Sequence, residues 1–283
     1  MLRPKLMPGE IAHGYLRRLK AINGYPSLRV TRAELRQKYS CSVDGKPLVQ
    51  LPYLLAGAVG MSPEEFCRLH TMIPFYRAVT GRLPELTHGS VSNPEIVQFH
   101  GTNIPEPSGR CCPCCIQEDL EFWGYAYLRR EHQLPGVVSC GKHEELLVWT
   151  DGADAPSRSP IQTLDSPAPI THGLEPSITR HPVVSRYITI AEYWLSGHRP
   201  ISLDKMIAVL KVRGDEVGVR RSVKGQKRLL SDLALDTCPL EWLTLLVPKI
   251  RDKKPGVYQS ALDHVFKSQS EASRSGCYAL ALA

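Results

Sequence analysis

The sequence predicts a mainly α-helical chain interrupted by one small ribbon-like module. Two observations carry this. Apolar residues such as Ile11, Tyr15, Leu16, Leu19 and Ile22 recur at three- and four-residue intervals, the period of one helix face. Five of the nine cysteines are gathered between residues 110 and 147, where a metal-centred module is the simplest way to use them.

In that stretch Cys112 and Cys115 form a C-x2-C knuckle and Cys140 and His143 a C-x2-H knuckle, with 24 residues between the two. Two ligands on each of two tight turns can point at one ion, and four such ligands close a tetrahedron with no open position. That is a structural zinc site, not a catalytic one. The doubled cysteines leave the register open, because Cys111 and Cys114 form a second C-x2-C shifted by one. Pro113, with its fixed φ next to Cys112, favours Cys112 and Cys115 as the inner pair. A redox or merely packed cysteine cluster is the alternative.

Helices are expected on either side of this module. Residues 10–23 read as an amphipathic helix, with Arg17, Arg18 and Lys20 largely opposite the apolar face and Gly24 placed to end it. Residues 51–60 are apolar enough to be a buried helix. Ser62, Pro63 and Glu65 then give a start signal, with a capping serine, proline at the first helical position and glutamate three residues on. The helix they open runs toward Met72, and the break at Gly60 makes the pair compatible with a helix-turn-helix. Its second helix carries only Arg68 as an unopposed base, so plain packing is the stronger reading, with Cys67 a buried small hydrophobe.

Residues 151–182 hold six prolines and four serines without sustained periodicity, which predicts a linker or extended arm. Beyond it, residues 185–195 read as an amphipathic helix, and Ser202 caps another over 203–212 that stops at Gly214. Between residues 211 and 228 lie seven bases, Lys211, Arg213, Arg220, Arg221, Lys224, Lys227 and Arg228, against two acids, Asp215 and Glu216. A glycine-punctuated turn and a basic helix here would complete a second helix-turn-helix. Arg213, Arg220, Arg221, Lys224, Lys227 and Arg228 are its candidate nucleic-acid contacts, and a solvated face is the alternative. Cys238-Pro239-Leu240-Glu241-Trp242-Leu243 opens one more short helix, and residues 268–283 read as a frayed tail.

These elements divide the chain into an N-terminal helical region (1–108), a zinc module (109–150), a linker (151–182), a C-terminal basic helical domain (183–267) and the tail. Net charge is +7, from 35 Lys and Arg against 28 Asp and Glu, a modest excess whose clustering says more than its sum. No charged-then-apolar leader and no membrane-length apolar run is present, and the odd, clustered cysteines are unlike a secreted disulfide framework, so a cytoplasmic location is expected. No G-x4-G-K-[ST] loop, H-E-x-x-H, or H-x-E paired with P-C-x-x-C occurs, so no catalytic set is assigned.

The ordered set Arg110, Cys112, Pro113, Cys115, Trp123, Tyr125, Arg129, Gln133, Leu134, Cys140, His143 and Leu146 resembles the TniQ/TnsD family of transposon target-site selection proteins. Pro8, Glu10, Tyr15, Arg17 and Leu19 are similar to that family's opening P-x-E-x-x-x-x-Y-L-x-R-L, and Cys238 to Leu243 to its F-P-x-E-W-L segment, with cysteine for phenylalanine. His132 departs from the pattern, standing where a tryptophan is expected. The resemblance implies a non-enzymatic adaptor that recognises target DNA or a guide-RNA effector complex and recruits an AAA+ ATPase (TnsC-like), with Pro8, Glu10, Tyr15 and Arg17 on the partner surface. A second copy of the chain is a further candidate partner. The competing class is a stand-alone zinc-containing DNA-binding regulator.

Overall fold

The computed structural model describes residues 1–43, 45–100, 109–148, 159–165, 174–219, 228–267 and 275–283. The chain folds as two compact units: Met1–Pro74 with Thr87–Gly173, and Phe75–Leu86 with Leu174–Ala283. The architecture is mainly helical, as the periodicity predicts.

The first unit opens with α1 (Ala12–Ile22) and α2 (Leu28–Tyr39). Ser27 caps α2 by accepting from the Val30 N–H, one of the donors that a helix start leaves unpaired. A short antiparallel hairpin follows, β1 (Cys41–Val43) on β2 (Lys46–Leu48), in the register Cys41 to Leu48. Then come α3 (Leu51–Val59) and α4 (Pro63–His70). The break between them is as the sequence predicts. Gly60 adopts φ 72°, where a β-carbon would be strained, and the Met61 N–H turns back to the Ala56 carbonyl at 3.0 Å. The Ser62 hydroxyl accepts from Glu65 N at 3.2 Å.

Tyr15, Leu16, Leu19, Leu35, Leu51, Leu54, Leu55 and Phe66 form one buried cluster across these four helices, the burial that holds short helices together. α4 buries Phe66, Cys67 and His70, Phe66 in this cluster and Cys67 in a second one with Leu48, Tyr53, Ile73 and Val97. Cys67 is fully buried, as expected of a small hydrophobe. At Gly89 a β-carbon would come within 2.7 Å of Glu64 Cα and 2.8 Å of Cys67 Cβ, so only glycine lets the chain lie this close to α4.

α5 (Ile73–Tyr76) spans the boundary between the units, and α6 (Glu95–His100) precedes the cysteine-rich stretch. There α7 (Pro113–Trp123) forms, and α8 (Pro160–Leu164) packs against it. α8 lies inside the stretch expected to be a linker. It is closed by a capping box between Ser159 and Gln162 and buries Pro160 and Thr163. The local cap outweighs the proline-rich composition.

In the second unit, β3 (Val79–Thr80) pairs in parallel with β4 (Ile201–Ser202). Its helices are α9 (Pro182–Ser196), α10 (Leu203–Glu216), α11 (Leu230–Thr237), α12 (Leu240–Leu246), α13 (Ser260–Asp263) and α14 (Ser275–Leu282). Tyr187 and Trp242 meet edge to face at 5.2 Å in its core. The buried Asp263 carboxylate accepts from Ser231 N and Oγ and from Gln259 N, tying α11 to α13.

The structure corrects three expectations in this unit. Ser202 makes no side-chain cap, and α10 continues through Gly214 to Glu216. Gly214 is tolerated because a β-carbon there would sit 3.2 Å from the Phe266 ring, so its small size serves packing. The frayed tail is replaced over 275–282 by α14, in which Cys277, Tyr278, Ala279 and Leu280 are buried.

Candidate metal centre

The cysteine-rich segment is built from two turns that backbone bonds bring face to face. Cys111 pairs with Val148 through two such bonds, of 3.0 and 2.8 Å, and Leu147 N donates to Val138 O at 2.9 Å. The second knuckle closes on itself, with Cys140 N on Glu145 O and Glu144 N on Cys140 O, both at 2.8 Å. Gln133 and Arg110 lock the two halves: Gln133 accepts from Arg110 N and donates to Arg110 O. The Arg110 guanidinium donates to Val137 O and Leu134 O, each at 3.0 Å. The same segment bonds to the N-terminal strand of chain, Ile11 N to Leu128 O and Arg130 N to Gly9 O, at 2.9 Å each.

Within this frame the ligand atoms of Cys112, Cys115, Cys140 and His143 all lie within 4.8 Å of one another. The Nδ1 of His143 is 3.5 Å from Cys112 Sγ, 3.4 Å from Cys115 Sγ and 3.6 Å from Cys140 Sγ, and Cys115 and Cys140 are 3.6 Å apart. A tetrahedral ion with metal–sulfur bonds of about 2.3 Å and metal–nitrogen bonds of about 2.0 Å has edges of roughly 3.5 to 3.8 Å. The donors present fit that polyhedron.

Of the doubled cysteines, the structure gathers Cys112 and Cys115 with Cys140 and His143. Cys111 points away from the cluster and donates to Val148 O, and Cys114 is exposed. Pro113 acts differently from the expected turn position: it is the first residue of α7, with Cys112 as the residue before the helix. Cys115 then lies three residues on, one turn into α7 and close beside Cys112.

Burial pushes the Cys112 thiol up to about 11, so this sulfur resists ionising on its own. Cys140 is held far below the ordinary thiol range, chiefly by the hydrogen bond from Cys115 and additionally by one from His132. Three thiols this close share protons unless a metal replaces them. His132, the departure from the family pattern, thus supplies a polar contact to a ligand sulfur.

Glu118 was not singled out from the sequence, yet it takes the outer nitrogen of His143, with Oε1 3.0 Å from Nε2. That contact fixes which ring nitrogen faces the sulfurs. Lys142 bonds the other Glu118 oxygen. Behind Cys115, the buried Asp119 holds Arg129 through two bonds of 2.7 and 2.8 Å. The Arg129 guanidinium also lies 4.3 Å from the Tyr127 ring. Glu118 and Asp119 sit on α7 one turn beyond Cys115, a spacing legible only once the helix start is known.

The expected partner residues divide. Pro8 is exposed and Arg17 half-buried, but Glu10 and Tyr15 have no exposed surface, which corrects their placement on a contact surface. Glu10 accepts two bonds of 2.7 Å from Arg18 and one of 3.1 Å from Met7 N; Tyr15 donates to Pro4 O at 2.9 Å. Arg18, read as solvent-facing, therefore pairs with Glu10 and lies 4.4 Å from the Tyr125 ring. Of the candidate nucleic-acid contacts, Arg220, Arg221, Lys224 and Lys227 fall outside the described residues. Arg213 is exposed and 3.2 Å from Glu216, while Arg228 pairs with Asp236 and its backbone bridges to Val219.

Among the described residues no helix is long and apolar enough to cross a membrane. A protein-family model, TniQ, matches residues 1–147, just over half of the 283 residues. No curated protein matches the chain.

Proposed function

The chain belongs to the TniQ family, and from that premise we propose a non-enzymatic adaptor that selects the target of a DNA transposition system. Membership makes it a transposition-associated target-selection protein; the specific partners are our reading. It recognises target DNA or a guide-RNA effector complex and recruits the system's AAA+ ATPase. The observation that carries this is the extent of the match, which takes in both the N-terminal helices and all four residues of the metal cluster.

The metal is zinc in this reading. Three sulfurs and an imidazole are the donors that select it, and with no ligand position left open it holds shape and activates no water. Its work is to fix the segment that bonds to residues 9–11.

Pro8 remains a candidate contact for the ATPase. It lines a groove of about 570 Å³ together with Arg3, Lys5, Leu6, Val59 and Met61. Apolar walls with two cations suit an apolar side chain flanked by acidic residues. Arg213 and Arg228, with the residues between them, remain the proposed nucleic-acid contacts of the second unit.

Reconstituted transposition tests the adaptor reading. With transposase, ATPase and target present, the complete system should insert at its preferred site, and omitting this chain should abolish that preference. A stand-alone regulator predicts insertion unaffected by the omission. The groove is tested by Pro8→Glu with Met61→Glu, which should lower ATPase capture while metal content stays unchanged.

A further inference from the structure

Residues 13–38 carry seven lysines and arginines against one acid, Glu34, as many bases as the C-terminal basic segment and one acid fewer. Two of the seven are accounted for: Arg18 pairs with Glu10 and Lys38 lies 3.8 Å from Glu34. Arg17, Arg29, Arg32 and Arg36 have no carboxylate partner among the described residues.

Arg29, Arg32 and Arg36 are all exposed on α2. Steps of three and four residues put them along one side of the helix, about 4.5 and 10.5 Å from the first at roughly 1.5 Å per residue. His13 and Arg17 stand one turn apart on α1. Their proximity to α2 shows in His13, which burial first, then Arg32 and then Arg17 hold down to about 4. Arg32 is in turn opposed by Arg36. The four arginines form one cationic field beside the neutral His13 ring.

Arg17 supplies a second, independent observation. Its Nε and Nη1 are buried and have no hydrogen-bond partner among the described residues, and burial alone lowers its guanidinium below the usual range. Buried guanidinium N–H groups are normally satisfied.

We propose that the α1–α2 face bearing Arg17, Arg29, Arg32 and Arg36 is a nucleic-acid surface that binds backbone phosphates. A phosphate partner fits better than a protein one, because the cores of protein interfaces are apolar and poor in charge. No large hydrophobic side chain of α2 is exposed. Arginine forks take phosphate oxygens in pairs, and such contacts position a duplex without reading its bases. This surface lies outside the segment proposed above for nucleic-acid contact, so the two stand or fall separately.

The test uses the full zinc-loaded chain and Arg29→Gln/Arg32→Gln/Arg36→Gln, with binding to a labelled random duplex DNA and to an RNA duplex of equal length measured across a salt series. Each lost phosphate contact flattens the slope of log affinity against log salt by about 0.9, so the triple variant should lose about 2 to 3 from it and bind more weakly. Loss on both polymers, or on only one, upholds the phosphate contact and identifies its source. Arg213→Gln/Arg228→Gln, run alongside, reports on the C-terminal segment independently. Arg17→Gln should weaken binding without lowering the melting temperature of the free protein, since the wild-type Nε and Nη1 bond to nothing among the described residues. The proposal is overturned if wild type binds neither polymer, or if the triple variant keeps its affinity and salt slope. It is equally overturned if that variant loses only a labelled oligoglutamate peptide, or if Arg17→Gln lowers the melting temperature and leaves binding intact.

Discussion

At the scale of single residues, the metal centre depends on groups beyond its four ligands. Glu118 orients the His143 ring by taking its outer nitrogen at 3.0 Å. Losing such a partner typically weakens metal affinity by about 10- to 100-fold. Glu118→Gln should therefore release zinc to a competing chelator at a correspondingly lower chelator concentration than wild type. Equal retention would mean that the backbone alone sets the ring. His13 makes a different prediction. Its folded value of about 4 lies below its ordinary 6.5, with burial as the leading cause, so the folded state disfavours the protonated ring. The sign follows: full stability above pH 6.5, falling as pH drops toward 4, by at most about 3 kcal/mol. His13→Gln, in the absence of nucleic acid, should flatten the pH dependence of the melting temperature in that window. An unchanged dependence would place its origin elsewhere.

At the scale of elements, local signals were legible and global ones were not. The α3–α4 break could be read because Gly60, Ser62 and Pro63 act on their own neighbours, through a left-handed cap and a hydroxyl on a free N–H. The choice of Cys112 and Cys115 was also legible, although Pro113 works by starting α7 and not by shaping a knuckle. Glu10 and Tyr15 were misplaced because a family motif records which residues recur and not which of them are buried. α14 was missed since Cys277, Tyr278, Ala279 and Leu280 are consecutive and all buried, which leaves no amphipathic period to detect. That burial predicts its importance. Tyr278→Ala should destabilise the chain by about 3 to 5 kcal/mol, read as a lowered unfolding midpoint with zinc content unchanged. A midpoint within error of wild type would restore the frayed-tail reading.

At the scale of the whole molecule, the metal centre falls in the first unit, the family match covers most of that unit together with residues 75–86 of the second, and the second unit is built around its own core of Tyr187, Trp242 and α14. The sequence could not show this division, because residues 75–86 belong with residues some hundred positions later, through the β3–β4 pairing. In the proposed function, one zinc ion shapes the family region into a surface that recruits the transposon's ATPase. Structural zinc contributes on the order of 10 kcal/mol to a small module, more than short helices supply from propensity. The most direct measurement captures the AAA+ ATPase on full-length wild type, Cys112→Ser and Cys114→Ser, with metal counted in the same fractions. Wild type and Cys114→Ser should each carry one zinc per chain and capture the ATPase, and Cys112→Ser should do neither. Capture by metal-free Cys112→Ser equal to that of wild type, or no capture by zinc-loaded wild type, would contradict the proposed function.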